Sequence, residues 1–330
     1  MVCSYTLAIA HLLELQGVIN KPLATASQLA SICAKSERFI GVESGGMDQA
    51  ISFLAEKEFA MRIDFQPTLK ATKVQLSPEV TFVLCNSLVE HKLQSAASGA
   101  GYNVRVVECR LAAAVLAAHT GMDNPTSIRT LLAFEQAYQP TNEDAVSRLE
   151  FCEQAVREKL HPESYNVEEI KSLLGATETF EKDFLGTVTS AEILGSLKLF
   201  ERALHVFSEA KRVLLFQREC ELLAKGESTS TALGYLGELM NSSHESCRDL
   251  FECSCPQLDE ITSFCRSQGA LGSRLTGAGW GGWCISMVPT NQIPTFLSNL
   301  SSFYSTRSSL PADRLFFPTA PSSGACVLRK

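Results

Sequence analysis

From Asn103 to Arg266 the chain is mainly of helical spacing, and strand-like runs lie on both sides of it. Val104 to Ala118, Leu149 to Lys159, Val167 to Leu174, Leu197 to Leu223, Ala232 to Phe251 and Leu258 to Arg266 repeat apolar residues at helical intervals. Before this block, Ala60 to Phe65 and Thr72 to Leu76 alternate, and Val80 to Asn86 is β-rich. After it, Gly272 to Thr276, Trp283 to Val288 and Ala325 to Leu328 read as strands. Blocks of this order predict an α+β fold rather than a doubly wound sheet. The first stretch predicts a helix ending at Gly17 and a second over Gln28 to Ile40. Ser27 would cap that second helix, with Leu29, Ile32, Cys33 and Phe39 on one face. Helical spacing resumes over Asp48 to Leu54. The small-residue run Ser95 to Gly101 is the expected boundary between a domain of residues 1–98 and one of 99–330.

Composition narrows the function classes. At 45% hydrophobic and 20% charged, the 330 residues can build a packed core. Lys+Arg 29 against Asp+Glu 36 gives −7, so no global basic field exists to hold nucleic acid or an anionic membrane. The longest apolar run, Leu111 to Ala118, is bounded by Arg110 and His119 and has the length of a core helix, not a membrane span. Ala8-Ile9-Ala10 mimics a signal cleavage site, but no Lys or Arg precedes Lys21, and the expected location is cytoplasmic. The 12 Cys are irregularly spaced and read as free thiols. His244, Cys247, Cys253 and Cys255 have the residue types of a zinc site, yet His244 and Cys247 also read as neighbours on an amphipathic helix.

Two elements point to chemistry. Arg274-Leu275-Thr276-Gly277-Ala278-Gly279-Trp280-Gly281-Gly282 formally contains G-x-G-x-x-G. A dinucleotide loop opens a helix, whereas Trp283 to Val288 is β-like, and a P-loop needs a Lys that is missing here. What remains is a glycine turn between strands, either a plain bulged hairpin or a backbone that approaches a phosphate or sugar. The second element is Gly45-Gly46-Met47-Asp48-Gln49 at the start of an apolar helix. Asp48 suits a helix cap, and it equally suits a carboxylate that orients or deprotonates a hydroxyl nucleophile. Glu37, near the end of the preceding helix, adds a second hard-oxygen ligand of the kind Mg²⁺ takes.

Taken in order, these elements resemble the galactokinase branch of the GHMP small-molecule kinases, nearest to its N-acetylgalactosamine kinases. The matching stretches are Ile32 to Arg38, Gly45 to Gln49, Asn103 to Ala112, Gly237 to His244 with Arg248-Asp249 and Pro256 to Asp259, and Ser273 to Gly282. The resemblance implies a two-lobe fold and transfer of the γ-phosphoryl group of Mg·ATP to the anomeric hydroxyl of galactose or N-acetylgalactosamine. It implies Asp48 as the catalytic carboxylate, with Gly46, Asp48 and Tyr102 at the sugar. It implies Glu37 at Mg²⁺, and Lys92, Gly277, Gly279, Gly281 and Gly282 at ATP, in a protein that is monomeric when whole. Tyr102 also reads as an anchor at a helix start. His244 and Asp249 imitate a Ser-His-Asp set, but the segment is structural in the family.

The family's Gly-Glu-His-x-Asp element and its Gly-Leu-Ser-Ser-Ser-Ala phosphate loop have no counterpart in these residues. The expectation is therefore a truncated N-terminal lobe, with little kinase activity from this chain alone. The alternative is a sugar- and ATP-binding protein or sensor on the same fold.

Overall fold

The computed structural model of the chain describes residues 25–37, 45–90, 101–138, 144–175, 180–186, 188, 196–227 and 231–325. Two compact units divide the chain: Met1–Val80 with Glu219–Ser228 and Thr319–Lys330, and Thr81–Arg218 with Thr229–Pro318. The helix expected before Gly17, the loop 95–100 and the strand expected over 326–328 lie outside the described residues.

In the first unit, α1 (Ala26–Glu37) starts two residues earlier than its pattern implied. Its cap is Thr25, not Ser27. The Gln28 N–H donates to Thr25 Oγ1 at 3.2 Å, and the Thr25 N–H donates to Gln28 Oε1 at 2.8 Å. This reciprocal pair satisfies donors that a lone Ser27 would leave bare. The helix buries Leu29, Ala30 and Cys33, while Ile32, expected on that face, is 55% exposed. Next come α2 (Met47–Leu54) and an antiparallel pair, β1 (Phe59–Asp64) and β2 (Lys70–Gln75), with Phe59 opposite Gln75 and Asp64 opposite Lys70. The chain returns late to this unit, where Gly324 and Ala325 donate backbone hydrogen bonds to Ala55 and Ser52 at the end of α2.

The second unit confirms the mixed helix and strand architecture. Its helices are α3 (Tyr102–His119), α4 (Leu131–Tyr138), α5 (Ala145–Lys159), α6 (Val167–Leu174), α7 (Leu199–Lys225), α8 (Ala232–Asp249), α9 (Pro256–Ser267) and α10 (Ile293–Ser305). The apolar run of α3 is its centre, since every residue from Leu111 to Ala117 is fully buried. Helices α4 and α6 both pack against α3. Asn166 and Glu169 cap α6 reciprocally, and Gly175 ends it in the left-handed conformation. Among the described residues no helix is long and apolar enough to cross a membrane.

A four-stranded sheet forms the other half, in the order β4 (Gly272–Thr276), β5 (Trp283–Pro289), β3 (Val80–Asn86), β6 (Phe316–Thr319). Pattern reading misses β6, which has four residues and contains Pro318, a residue that strands accept at an edge. It also misses α10, whose first turn holds Pro294 and whose surface is rich in serine. One sheet face packs on α9 and α10 through Val83, Leu258, Ile261, Leu275, Val288, Phe296 and Leu300.

Helix α8 lies unusually close to β4. A Cβ on Gly237 would sit 2.3 Å from the Leu271 carbonyl oxygen, and one on Gly272 would sit 2.5 Å from that of Gly237. Both neighbours are backbone and cannot turn aside. Gly237→Ala is therefore expected to destabilise the fold by about 2 kcal/mol, read from the urea midpoint. Gly234→Ala, on the same helix with open space around its Cβ position, should leave that midpoint unchanged or raise it.

Candidate active site

The Asp48 element is built by one glycine. Gly46 precedes α2 at φ +84°, and a Cβ there would stand 2.7 Å from that of Ala34. Glycine is thus required twice, by the left-handed conformation and by the contact. The contact sets the first turn of α2 against the last turn of α1, the helix that ends at Glu37. Gly46 occupies the capping position, so Asp48 is not the cap. Its side chain is exposed in the first helical turn, with no hydrogen bond or ion pair to a described residue. The Glu37 carboxylate and Lys92 lie outside what the structure describes. Tyr102, in the second unit, is the first residue of α3, directly after Gly101, and is partly buried.

The glycine loop joins β4 to β5. Gly277, Gly279, Gly281 and Gly282 all have positive φ, at +81°, +87°, +139° and +78°. Their surroundings differ. A Cβ on Gly279 would meet the Cys253 carbonyl oxygen at 2.0 Å, and one on Gly281 would meet that of Val89 at 2.7 Å, while Gly277 and Gly282 face open space. The close approach expected of this loop is thus made, at two glycines, to the protein's own backbone. The Trp280 N–H donates to Cys253 O at 2.6 Å, Gly282 N–H to Val89 O at 2.9 Å, and Ser87 N–H to Gly282 O at 2.8 Å. At Gly277 and Gly282, the two ends of the glycine run, a Cβ would meet no described atom within 4 Å.

What fixes the loop is a network whose function the sequence did not disclose. Glu108 is buried on α3, and its Oε2 accepts from Arg105 at 2.9 Å and from Arg202 of α7 at 2.7 Å. Its Oε1 takes the Lys198 N–H at 2.9 Å. Both arginines then reach the turn after α8. Arg105 Nε donates to Phe251 O at 2.7 Å, Arg202 donates to Leu250 O and to Glu252 at 2.7 Å, and Lys198 pairs with Glu252. Glu252 is held at φ +54°, and the next residue is Cys253, the acceptor for the loop.

A second set of contacts holds β4, an edge strand whose outer groups need partners. Asn241 Oδ1 accepts the Ser273 N–H at 3.0 Å, and its Nδ2 donates to Leu271 O at 3.2 Å. One turn on, His244 Nδ1 accepts the Leu275 N–H at 3.3 Å. Its Nε2 faces Thr262 Oγ1 at 3.0 Å and Asp259 at 3.1 Å. Asp249 pairs with Arg248 instead, and the Ser243 hydroxyl donates to Glu209, so no Ser-His-Asp nucleophile is assembled. Glu209 also receives Arg274 at 3.0 Å and Arg212 at 2.8 Å. Cys247 and Cys253 hydrogen-bond to each other rather than converging with His244 and Cys255 on a metal.

Two predictions follow from these contacts. Gly279→Ala should cost about 3 kcal/mol, from strain and from the carbonyl it strikes, whereas Gly277→Ala should cost about 1 kcal/mol, as strain alone. Paired denaturation curves measure the difference. Burial holds His205, on α7 with its Nδ1 2.8 Å from the Ser246 hydroxyl, and His244 down at about 4, below their ordinary 6.5. The unfolded chain therefore takes up protons that the folded chain refuses. This contribution is complete above about pH 6.5 and is lost as pH falls toward 4, approaching about 1.4 kcal/mol per pH unit for each histidine. His205→Asn should flatten the fall in unfolding midpoint between pH 7 and 5, and an unchanged slope would contradict the assignment.

Comparison with known proteins places this geometry. The family profile described as "GHMP kinases C terminal" matches residues 224–306, the span that holds α8, α9, β4, the glycine loop and β5. Galactokinase of Dictyostelium discoideum is 39% identical over 99% of this chain and 66% of its own length. Galactokinase of Saccharomyces cerevisiae is 36% identical over 79% of this chain and 53% of its own length. The structure of Lactococcus lactis galactokinase complexed with galactose shares the fold, at TM-score 0.63 and 23% identity, covering 99% of this chain and 66% of that one. The chain thus spans 53% to 66% of the length of these relatives. By its matched segments, their order and its fold, this chain belongs to the galactokinase branch of the GHMP kinase family.

Proposed function

We propose that the chain carries the catalytic carboxylate and part of the nucleotide site of a sugar kinase that transfers the γ-phosphoryl group of ATP to the anomeric hydroxyl of galactose. The observation that carries this reading is the 39% identity to a galactokinase over 99% of the chain. The geometry supports it. Asp48 is exposed at a helix N-terminus, unengaged by any described neighbour, where a carboxylate can receive a proton.

In the reaction the sugar oxygen forms a bond to the γ-phosphorus as the bond to the bridging oxygen of ADP breaks. The hydroxyl proton passes to Asp48. Such transfers depend on positioning and charge stabilisation, which is the task assigned to the glycine loop at Gly277, Gly279, Gly281 and Gly282, to Lys92 and, for the sugar, to Gly46 and Tyr102. The donor set suits Mg²⁺. Glu37 ends α1, Asp48 begins α2, and the two helix ends pack at Ala34 and Gly46. Glu37 would hold the ion, which when bound neutralises phosphate charge. N-acetylgalactosamine is the competing acceptor.

The test is an ATP-dependent phosphorylation assay on the purified chain with each sugar. Galactose 1-phosphate is expected to form only slowly, since the Gly-Glu-His-x-Asp element and the phosphate loop have no counterpart in these residues, with kcat lowered at least a further hundredfold in Asp48→Asn while calorimetric binding of galactose and ATP is retained. Faster turnover of N-acetylgalactosamine would reassign the acceptor. Binding of sugar and ATP without product would replace the kinase by a sensor.

A further inference from the structure

The sheet face beneath α9 carries a polar island that the phosphotransfer chemistry does not use. Cys85 on β3, Cys284 on β5 and Cys265 on α9 are all fully buried. Their three sulfurs lie within 4.8 Å of one another, with Cys85 and Cys265 at 3.8 Å. Ser273 and Ser286, also fully buried, lie beside them and share a hydrogen bond at 2.8 Å. Ser273 bonds to Cys284, and Ser286 bonds to Cys265.

A single buried cysteine behaves as a small hydrophobe. Three elements that aim three sulfurs at one point, with two hydroxyls around them, make a ligand set. A cation with metal–sulfur bonds near 2.3 Å in a trigonal plane needs sulfurs about 4 Å apart, a spacing that Cys85 and Cys265 have at 3.8 Å and that Cys284 can reach by a small side-chain adjustment from within 4.8 Å. The donors are sulfur alone, so hard cations such as Mg²⁺ are disfavoured and soft ones favoured. Zinc would seek a fourth ligand, and the imidazole of this layer, His244, already has both ring nitrogens engaged.

We propose that Cys85, Cys265 and Cys284 form a three-sulfur site for a soft monovalent cation of the Cu(I) class, tying β3, β5 and α9 together. Metal–sulfur bonds form as thiol protons leave to solvent. The cation keeps its oxidation state, so no oxidant or reductant is consumed. The site lies wholly in the second unit and does not depend on the kinase reading.

The test titrates the reduced full chain anaerobically with Cu(I) against a chromogenic Cu(I) chelator. Retention of a single equivalent is expected, with a rise of several degrees in Tm, because a ligand of the folded state alone stabilises it. Cys284→Ser and Cys265→Ser should weaken retention at least tenfold. Cys152→Ser, a buried thiol in the other core, should not. Should the serine variants fail to fold, X-ray absorption on the loaded wild-type chain decides, with three sulfurs near 2.3 Å expected. Two-sulfur or oxygen/nitrogen coordination, no retention, or equal retention by the triple serine variant would overturn the proposal.

Discussion

The glycine loop depends on the buried carboxylate of Glu108. That group is 1% exposed and accepts from two arginines and a backbone N–H. A buried charge with one partner removed typically costs about 3–5 kcal/mol, so the network holds together as a unit. Its arginines do more than neutralise it. Their remaining donors bind the carbonyls of Leu250 and Phe251 and the carboxylate of Glu252, fixing the turn that presents Cys253 to the loop. Position therefore passes from the core of the helical half to a surface loop through fully paired polar groups.

The loop divides its glycines by task. Gly279 and Gly281 let the loop backbone lie on Cys253 and Val89, whereas Gly277 and Gly282 serve the turn's dihedral angles. A run of glycines in the sequence announces a turn but does not distinguish these two needs. The first depends on residues 26 and 192 positions away, which no local pattern reveals.

The same limit separates what was legible from what was not. Val80 to Asn86 and Gly272 to Thr276 emerged with their expected ends because period and residue type agree there. The helix of Met47–Leu54 was legible from its apolar spacing, whereas its cap, Gly46 rather than Asp48, was not. The Thr25 and Gln28 cap was hidden by an equally plausible Ser27, and β6 by its brevity and its proline. Glu108, Arg202 and Glu252 were not read as partners, since nothing local marks residues on three elements as one ionic cluster.

Helix α8 does for β4 what a neighbouring strand would do. Asn241 and His244 engage the Leu271 carbonyl and the Ser273 and Leu275 N–H groups, which are not bonded to β5. At the opposite edge, β6 contains a proline that cannot donate to a further strand. A sheet closed at one side by borrowed side-chain bonds and interrupted at the other offers little template for edge-to-edge pairing. The substitution most prone to cause aggregation would then be one at Asn241, which uncovers an edge without emptying the buried position of His244.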